Sequence, residues 1–209
     1  MSLHMAETSP PANPVRSRYL LLLLMLIPIA VVVLATLVFY TRIGMPDGTR
    51  NKGILITPPL QINGIGLRDA QSAEYQLDGS KDQLWTFLVA HPASCDEICR
   101  KHFWEIRQTR TALGKYQSHI RRVWLVTEGA IDVATQQWLA QEHADVSVLY
   151  VDGARWQSLL RQSPEGISSD AKAVFFLVDP RGFVMMYYTP EDTYKDVITD
   201  MKFLLKGVE

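Results

Sequence analysis

The chain has 209 residues, 47% hydrophobic and 21% charged, with a formal net charge of −1. That length suits one ordinary domain plus an anchor, and the near-neutral balance excludes the basic footprint of a nucleic-acid binder. Two cysteines, Cys95 and Cys99, are too few for a secreted disulfide framework and too close together to stabilise the fold by closing a loop.

Residues 1–18 are polar, carry Pro10, Pro11 and Pro14, and are expected to form a disordered tail. Residues 19–40 are expected to be a transmembrane anchor. From Leu20 to Tyr40 the chain reads LLLLLMLIPIAVVVLATLVFY without a charge, which is long enough to cross a bilayer core. The run exceeds a signal-peptide core, and no small-residue cleavage site follows it. Pro28 is tolerated in such a helix, and Tyr19 and Tyr40 bracket it where interfacial aromatics belong. Arg16 and Arg18 precede the span while Arg42, Arg50 and Lys52 follow it, so charge alone does not orient it.

Residues 41–81 are rich in glycine and proline and read as a linker and irregular entry segment, with a short strand around 53–57. Residues 82–209 are expected to form the compact domain. Apolar runs at 85–90 (WTFLVA), 122–127 (RVWLVT) and 146–151 read as buried strands, alternating with helices over 96–113, 132–143 and 154–161. Runs at 173–178 and 183–188 flank Asp179-Pro180-Arg181-Gly182, a hairpin turn, and a helix over 191–206 follows Pro190. Strands alternating with helices, then a hairpin and a last helix, predict an α/β fold of thioredoxin-like order: a central mixed sheet with flanking helices.

Cys95 and Cys99 fall between the first core strand and its helix, where the carboxyl end of a strand collects chemistry in open α/β sheets. Spaced i and i+4, they share a helix face with Cα atoms roughly 6 Å apart, within reach of a disulfide or of one metal ion. The helix N-terminus favours a thiolate at Cys95, while Asp96 and Glu97 oppose it. The alternative is that both are small buried hydrophobes. His102, one turn beyond Cys99, and His91, just before the loop, are the histidines able to complete a metal site. Thiolates with imidazole suit copper(I) or zinc. His119 and His143 are expected to be solvated.

At these residues the chain resembles the SCO/SenC family, membrane-anchored thioredoxin-like copper chaperones for cytochrome c oxidase. The family's Cys-Pro-Asp-x-Cys-Pro loop reads here Cys95-Asp96-Glu97-Ile98-Cys99-Arg100, with the spacing kept and both prolines absent. Residues 170–182 are similar to the family's Asp-His-x-x-x-x-x-Leu-x-Asp-Pro-x-Gly segment, with Ala171 where the copper-binding histidine stands. The likeness spans about residues 82–206, and residues 51–59 resemble the linker of small anchored oxidase-assembly proteins of proteobacteria. The resemblance implies a single-pass protein of a bacterial inner membrane with a periplasmic C-terminal domain. Its implied partners are oxidase subunit II or other oxidase assembly proteins, and the membrane. The implied role is copper delivery to the copper site of that subunit, or reduction of its thiols. Any third ligand would come from elsewhere than Ala171. Two other functions fit the residues: a general thiol–disulfide oxidoreductase, although no proline directly precedes Ala173, and a scaffold with an inert disulfide.

Overall fold

In the computed structural model of the protein the described residues are 14–41, 51–77, 83–164, 166–167 and 174–207, those at 14–17 and 207 by backbone alone. The chain divides into two units, Met1–Thr49 and Arg50–Glu209. The first holds α1 (Pro14–Thr41). Its stretch Arg18–Thr41 is long and apolar enough to cross a membrane, and none of its most apolar window is buried. The expected disordered tail lies, up to residue 13, outside the described residues.

The second unit is a six-stranded sheet. Its strands are β1 (Ile54–Gln61), β2 (Trp85–His91), β3 (Ile120–Val126), β4 (Val146–Tyr150), β5 (Phe175–Val178) and β6 (Phe183–Tyr188). The order across the sheet is β1-β6-β5-β2-β3-β4. Strands β2, β3 and β4 run parallel, with Val89 opposite Trp124 and Trp124 opposite Val148. Strands β5, β6 and β1 are antiparallel additions beyond β2. The helices are α2 (Glu97–Ala112), α3 (Val133–Glu142), α4 (Gly153–Leu160) and α5 (Tyr194–Leu204).

The central strands read as unbroken apolar runs because both faces of the sheet are covered. On β2, Leu88 and Ala90 join one core with Trp156 and Leu160 of α4, while Phe87 and Val89 join the other with Phe103 of α2 and Met201 of α5. Successive side chains of a strand point to opposite faces, so one run of residues feeds both cores. Each parallel strand hands over to its helix through an aspartate: the side chains of Asp96, Asp132 and Asp152 accept the N–H of Cys99, Thr135 and Arg155. These caps satisfy amides that the helix itself leaves without partners. The last helix starts at Tyr194, later than expected, behind Thr193, whose N–H donates to Asp196 at 3.0 Å.

Residues 41–81, expected as a linker up to residue 81, include an edge strand and core residues. Strand β1 pairs with β6, and Ile56, Leu60, Ile62, Leu67 and Leu77 are buried. Pro58 and Pro59 sit where the β1–β6 register shifts between Leu55 and Leu60. Proline cannot donate to a ladder, so such a strand is confined to an edge. The expected hairpin turn forms: Asp179 Oδ1 accepts the N–H of Arg181 and of Phe183 at 2.9 and 2.8 Å. Gly182 has φ +82°, and a Cβ there would stand 2.8 Å from the Leu77 carbonyl, so both backbone and space require glycine.

Candidate functional site

Strand β2 ends at His91, and residues 92–96 form the loop into α2. That loop is tied to β3 and to the loop beyond it. The His91 carbonyl accepts the indole N–H of Trp124 and the amide of Thr127, each at 3.2 Å, and Ala93 N–H donates to the Glu128 carbonyl at 2.8 Å. These bonds bring Cys95 over the carboxyl end of the sheet.

Cys95 and Cys99 are joined by a disulfide, with Cα atoms 5.2 Å apart. The i, i+4 spacing, with Cys95 just before the cap of α2 and Cys99 in its first turn, makes this reach possible. Cys99 is fully buried and Cys95 is 5% exposed, both packed in the core that contains Phe103 and Trp124. Asp96 is the residue between them that matters for geometry. Its side chain is 53% exposed, its Oδ1 accepts Cys99 N–H at 3.0 Å, and the same oxygen lies 3.2 Å from Nε2 of His91. The sequence shows Asp96 as a charge beside a thiol and as the first residue of the expected helix; the structure makes it the N-cap, one residue before α2.

The two histidines are both buried. His91, 2% exposed, has Nδ1 3.3 Å from the Pro92 carbonyl and Nε2 facing Asp96. His102 packs its ring edge-on against Phe175, centroids 5.6 Å apart. Among the described residues no group of three or more His, Cys, Asp and Glu is arranged to hold a metal ion. The described donors thus offer two soft sulfurs once the disulfide is reduced, and no gathered imidazole. Ala171 lies outside the described residues.

His143 corrects an expectation: it is 4% exposed rather than solvated. It follows α3, its ring packs on Trp138 and Phe103, and Nδ1 stands 3.3 Å from the guanidinium of Arg122. Burial first, then the positive charges of Arg122 and Arg107, hold it down to about 4 from an ordinary 6.5, so the ring is neutral. Arg122 on β3 is itself buried and forms an ion pair with Asp145. Burial works to raise the Asp145 carboxyl, but the hydrogen bonds and charge of Arg122 outweigh it, and the group sits below its ordinary value. Residues from three elements make this cluster, and no local pattern announces it.

Beside the loop, a surface cleft of about 640 Å³ opens between Pro92, the Thr127–Glu128 turn and the start of α4. A Cβ on Gly153 would lie 2.8 Å from the Thr127 carbonyl, so the small residue lets α4 approach the end of β3.

A family model described as "Transmembrane-like, thioredoxin-like, C-terminal domain" matches residues 85–207. No curated protein matches the sequence. Among solved structures, yeast Sco1 superposes with a TM-score of 0.53 at 16% identity, over 73% of this chain and 95% of that one. Yeast Sco1 with copper bound gives 0.52 at 15%, over 76% and 95%. Arabidopsis thaliana ScoI with copper bound gives 0.50 at 14%, over 71% and 97%. At these identities the likeness is one of fold, and it is the thioredoxin-like fold expected from the order of elements.

Proposed function

We propose, from the premise that the chain belongs to the transmembrane-like, thioredoxin-like C-terminal domain family over residues 85–207, that it is a membrane-anchored assembly factor for a respiratory cytochrome c oxidase. Its cysteine pair acts on the copper site of subunit II, by delivering copper(I) or by reducing the acceptor thiols. The domain works in the periplasm, carried on α1 in a bacterial inner membrane. The observation that carries the reading is a disulfide between the only two cysteines, at the carboxyl end of the central strand β2. A structural disulfide spanning four residues contributes little to stability, so a redox or metal-handling role accounts for it better. The Sco structures supply the fold and, in two cases, bound copper.

Copper is cargo in this reading. Reduced Cys95 and Cys99 provide two soft thiolates, a donor set that suits copper(I). A second reading, thiol–disulfide exchange without copper, is favoured by one observation: neither His91 nor His102 is gathered with the cysteines into a metal-binding group among the described residues.

The test uses full-length protein in detergent. Reduced protein is titrated with copper(I) against a chelator, beside a Cys95→Ser, Cys99→Ser double variant, then mixed with the soluble domain of subunit II. One copper(I) bound and passed on supports delivery. Reduction of an oxidised subunit II cysteine pair without copper binding supports the second reading. If the chain does neither, the assembly reading is wrong.

A further inference from the structure

The outward faces of α2 and α5 carry a charge that the chain as a whole does not. Both helices cover the same side of the sheet and join one core through Phe103 and Met201. On α5 the residues turned away from that core are Lys195, Thr199, Lys202 and Lys206. All four are exposed, and their i, i+4, i+7, i+11 spacing makes one stripe along the helix and the turn that continues it. Phe203 stands beside the stripe, 63% exposed. On α2, Trp104 is 52% exposed, with Lys101 a turn before it and Arg107 a turn after, both exposed. Trp104 meets Tyr194 of α5 edge-on, ring centroids 6.3 Å apart, so the two faces are continuous. Most carboxylates of these helices are turned to other work. Glu105 is buried and paired with Lys101, Asp196 closes the capping box with Thr193, and Asp200 is buried against the amides of Lys52 and Gly53. Glu97, in the first turn of α2, is the exposed exception. In a chain of net charge −1, cations thus gather with two large exposed aromatics on one face.

The tether points to what covers this face. Lys52 donates its N–H to Asp200 at 2.9 Å, so the chain enters the domain on α5. Residues 42–50 separate that entry from the end of α1, the helix long and apolar enough to cross a membrane. Fully extended, such a segment reaches about 30 Å at most. We propose that the α2–α5 face docks on the anionic headgroups of the bilayer that holds α1, with its cations among the phosphates and Trp104 and Phe203 at headgroup level. The inference rests on α1 lying in a bilayer, as the functional reading above has it, and not on thiol or copper chemistry. A lysine or arginine close to an anionic surface is drawn to it, and several on one face add up. Their aliphatic stems and the indole suit a boundary that is apolar on one side and wet on the other. A neutral surface gives the rings a place but offers the cations nothing. Docked in this way, α2 lies along the membrane, with the cysteine pair at one end of the footprint.

The experiment places full-length oxidised protein, one chain per disc, in lipid nanodiscs with brominated acyl chains. The lipid is either phosphatidylcholine alone or an equal mixture of phosphatidylcholine and phosphatidylglycerol. Bromine quenches tryptophan emission at close range, and the signal of Trp104 is read as the difference between wild type and Trp104→Phe. That signal is expected to be quenched several-fold more in anionic than in neutral discs, and high salt should release it, because the attraction is screened. A variant combining Lys195→Glu, Lys202→Glu and Lys206→Glu changes only exposed positions. It should lose the extra quenching while its unfolding midpoint holds. Should it fail to fold, the same three lysines changed to glutamine make the comparison by removing charge rather than reversing it. Equal quenching in the two lipids, or quenching that survives loss of the lysines, would overturn the proposal. So would shielding of Trp104 that appears only with two chains in one disc, or only when an acidic soluble protein is added, since either assigns the face to a protein partner. None of these outcomes touches the thiols, and the functional reading would stand. A chain that does not enter lipid at all removes the anchor, and both readings with it.

Discussion

The carboxylate of Asp200 on α5 accepts the backbone N–H of Gly53 at 2.9 Å, across 147 residues of sequence. The same carboxylate takes Lys52 N–H at 2.9 Å and the hydroxyl of Tyr188 at 3.2 Å. Burial, and then the Asp200 charge, push the Tyr188 hydroxyl well above its ordinary value, so it keeps its proton and donates. A buried acceptor near the C-terminus thus closes the entry of the chain into the domain. Asp200→Ala takes the acceptor from the Lys52 and Gly53 amides and leaves the Tyr188 hydroxyl only the Met186 sulfur, at a cost on the order of 3 kcal/mol. Thermal unfolding of the full-length protein in detergent should show a clear drop in midpoint, with Asp200→Asn losing less. An unchanged midpoint for Asp200→Ala would show that the clamp contributes nothing.

His143 predicts an acid limb. Its folded value, about 4, lies below the unfolded 6.5, so between those pH values the unfolded chain binds more protons. Stability is therefore expected to fall as pH drops from 6.5 towards 4, by up to about 3 kcal/mol from this group. Asp145, lowered by Arg122, adds a loss of the same sign further into acid, while Glu105, raised chiefly by burial, opposes both. Denaturant unfolding across that window should be less pH-dependent in His143→Gln. Equal slopes in the two proteins would remove His143 from the account.

For the cysteine pair, the oxidised protein should accept no alkylating label and the reduced protein two, a mass difference of two hydrogens before labelling. Full labelling of both thiols in an oxidising buffer would rule out the disulfide that the structure contains.

Orientation of the anchor is open to a direct reading. A phosphatase that folds only outside the cytoplasm, fused after Glu209, should be active in cells. An expressed but inactive fusion would place the domain on the other side.

Copper preference follows from the donors. Two thiolates suit copper(I), whereas copper(II) prefers nitrogen and oxygen in a tetragonal arrangement. Wild type is expected to favour copper(I), and Ala171→His to gain copper(II) affinity by tenfold or more, on the order of one added ligand. Equal copper(II) affinity in both proteins would mean that residue 171 does not reach the site.

The features legible before folding is considered are local or periodic. The charge-free run that became α1 could be read directly, because a membrane span is a matter of length and polarity. So could β2, β3 and β5, whose apolar runs follow from burial on both faces; the aspartates that cap α2, α3 and α4 are equally local signals, a cap being a contact between near neighbours. The disulfide belongs here too, being one helical turn long.

Tertiary structure decided the rest. Of strand β1 only a short piece around 53–57 is legible within a proline-bearing linker; only β6, more than 120 residues later in the chain, gives Leu55 and Leu60 their partners and carries the strand past Pro58 and Pro59 to Gln61. His143 has a polar neighbourhood in sequence and is buried because Arg122 of β3 and Phe103 of α2 close around it together with Trp138 of its own helix, α3. His91 looked like a spare donor beside a thiol pair, until the fold set Pro92 and Asp96 on either side of its ring. For β1 and for the Arg122 and Phe103 sides of His143 the partners are distant in the chain, and His91 is set against its near neighbours by the bonds its carbonyl accepts from Trp124 and Thr127; these meetings depend on the sheet having formed, and no local periodicity encodes them.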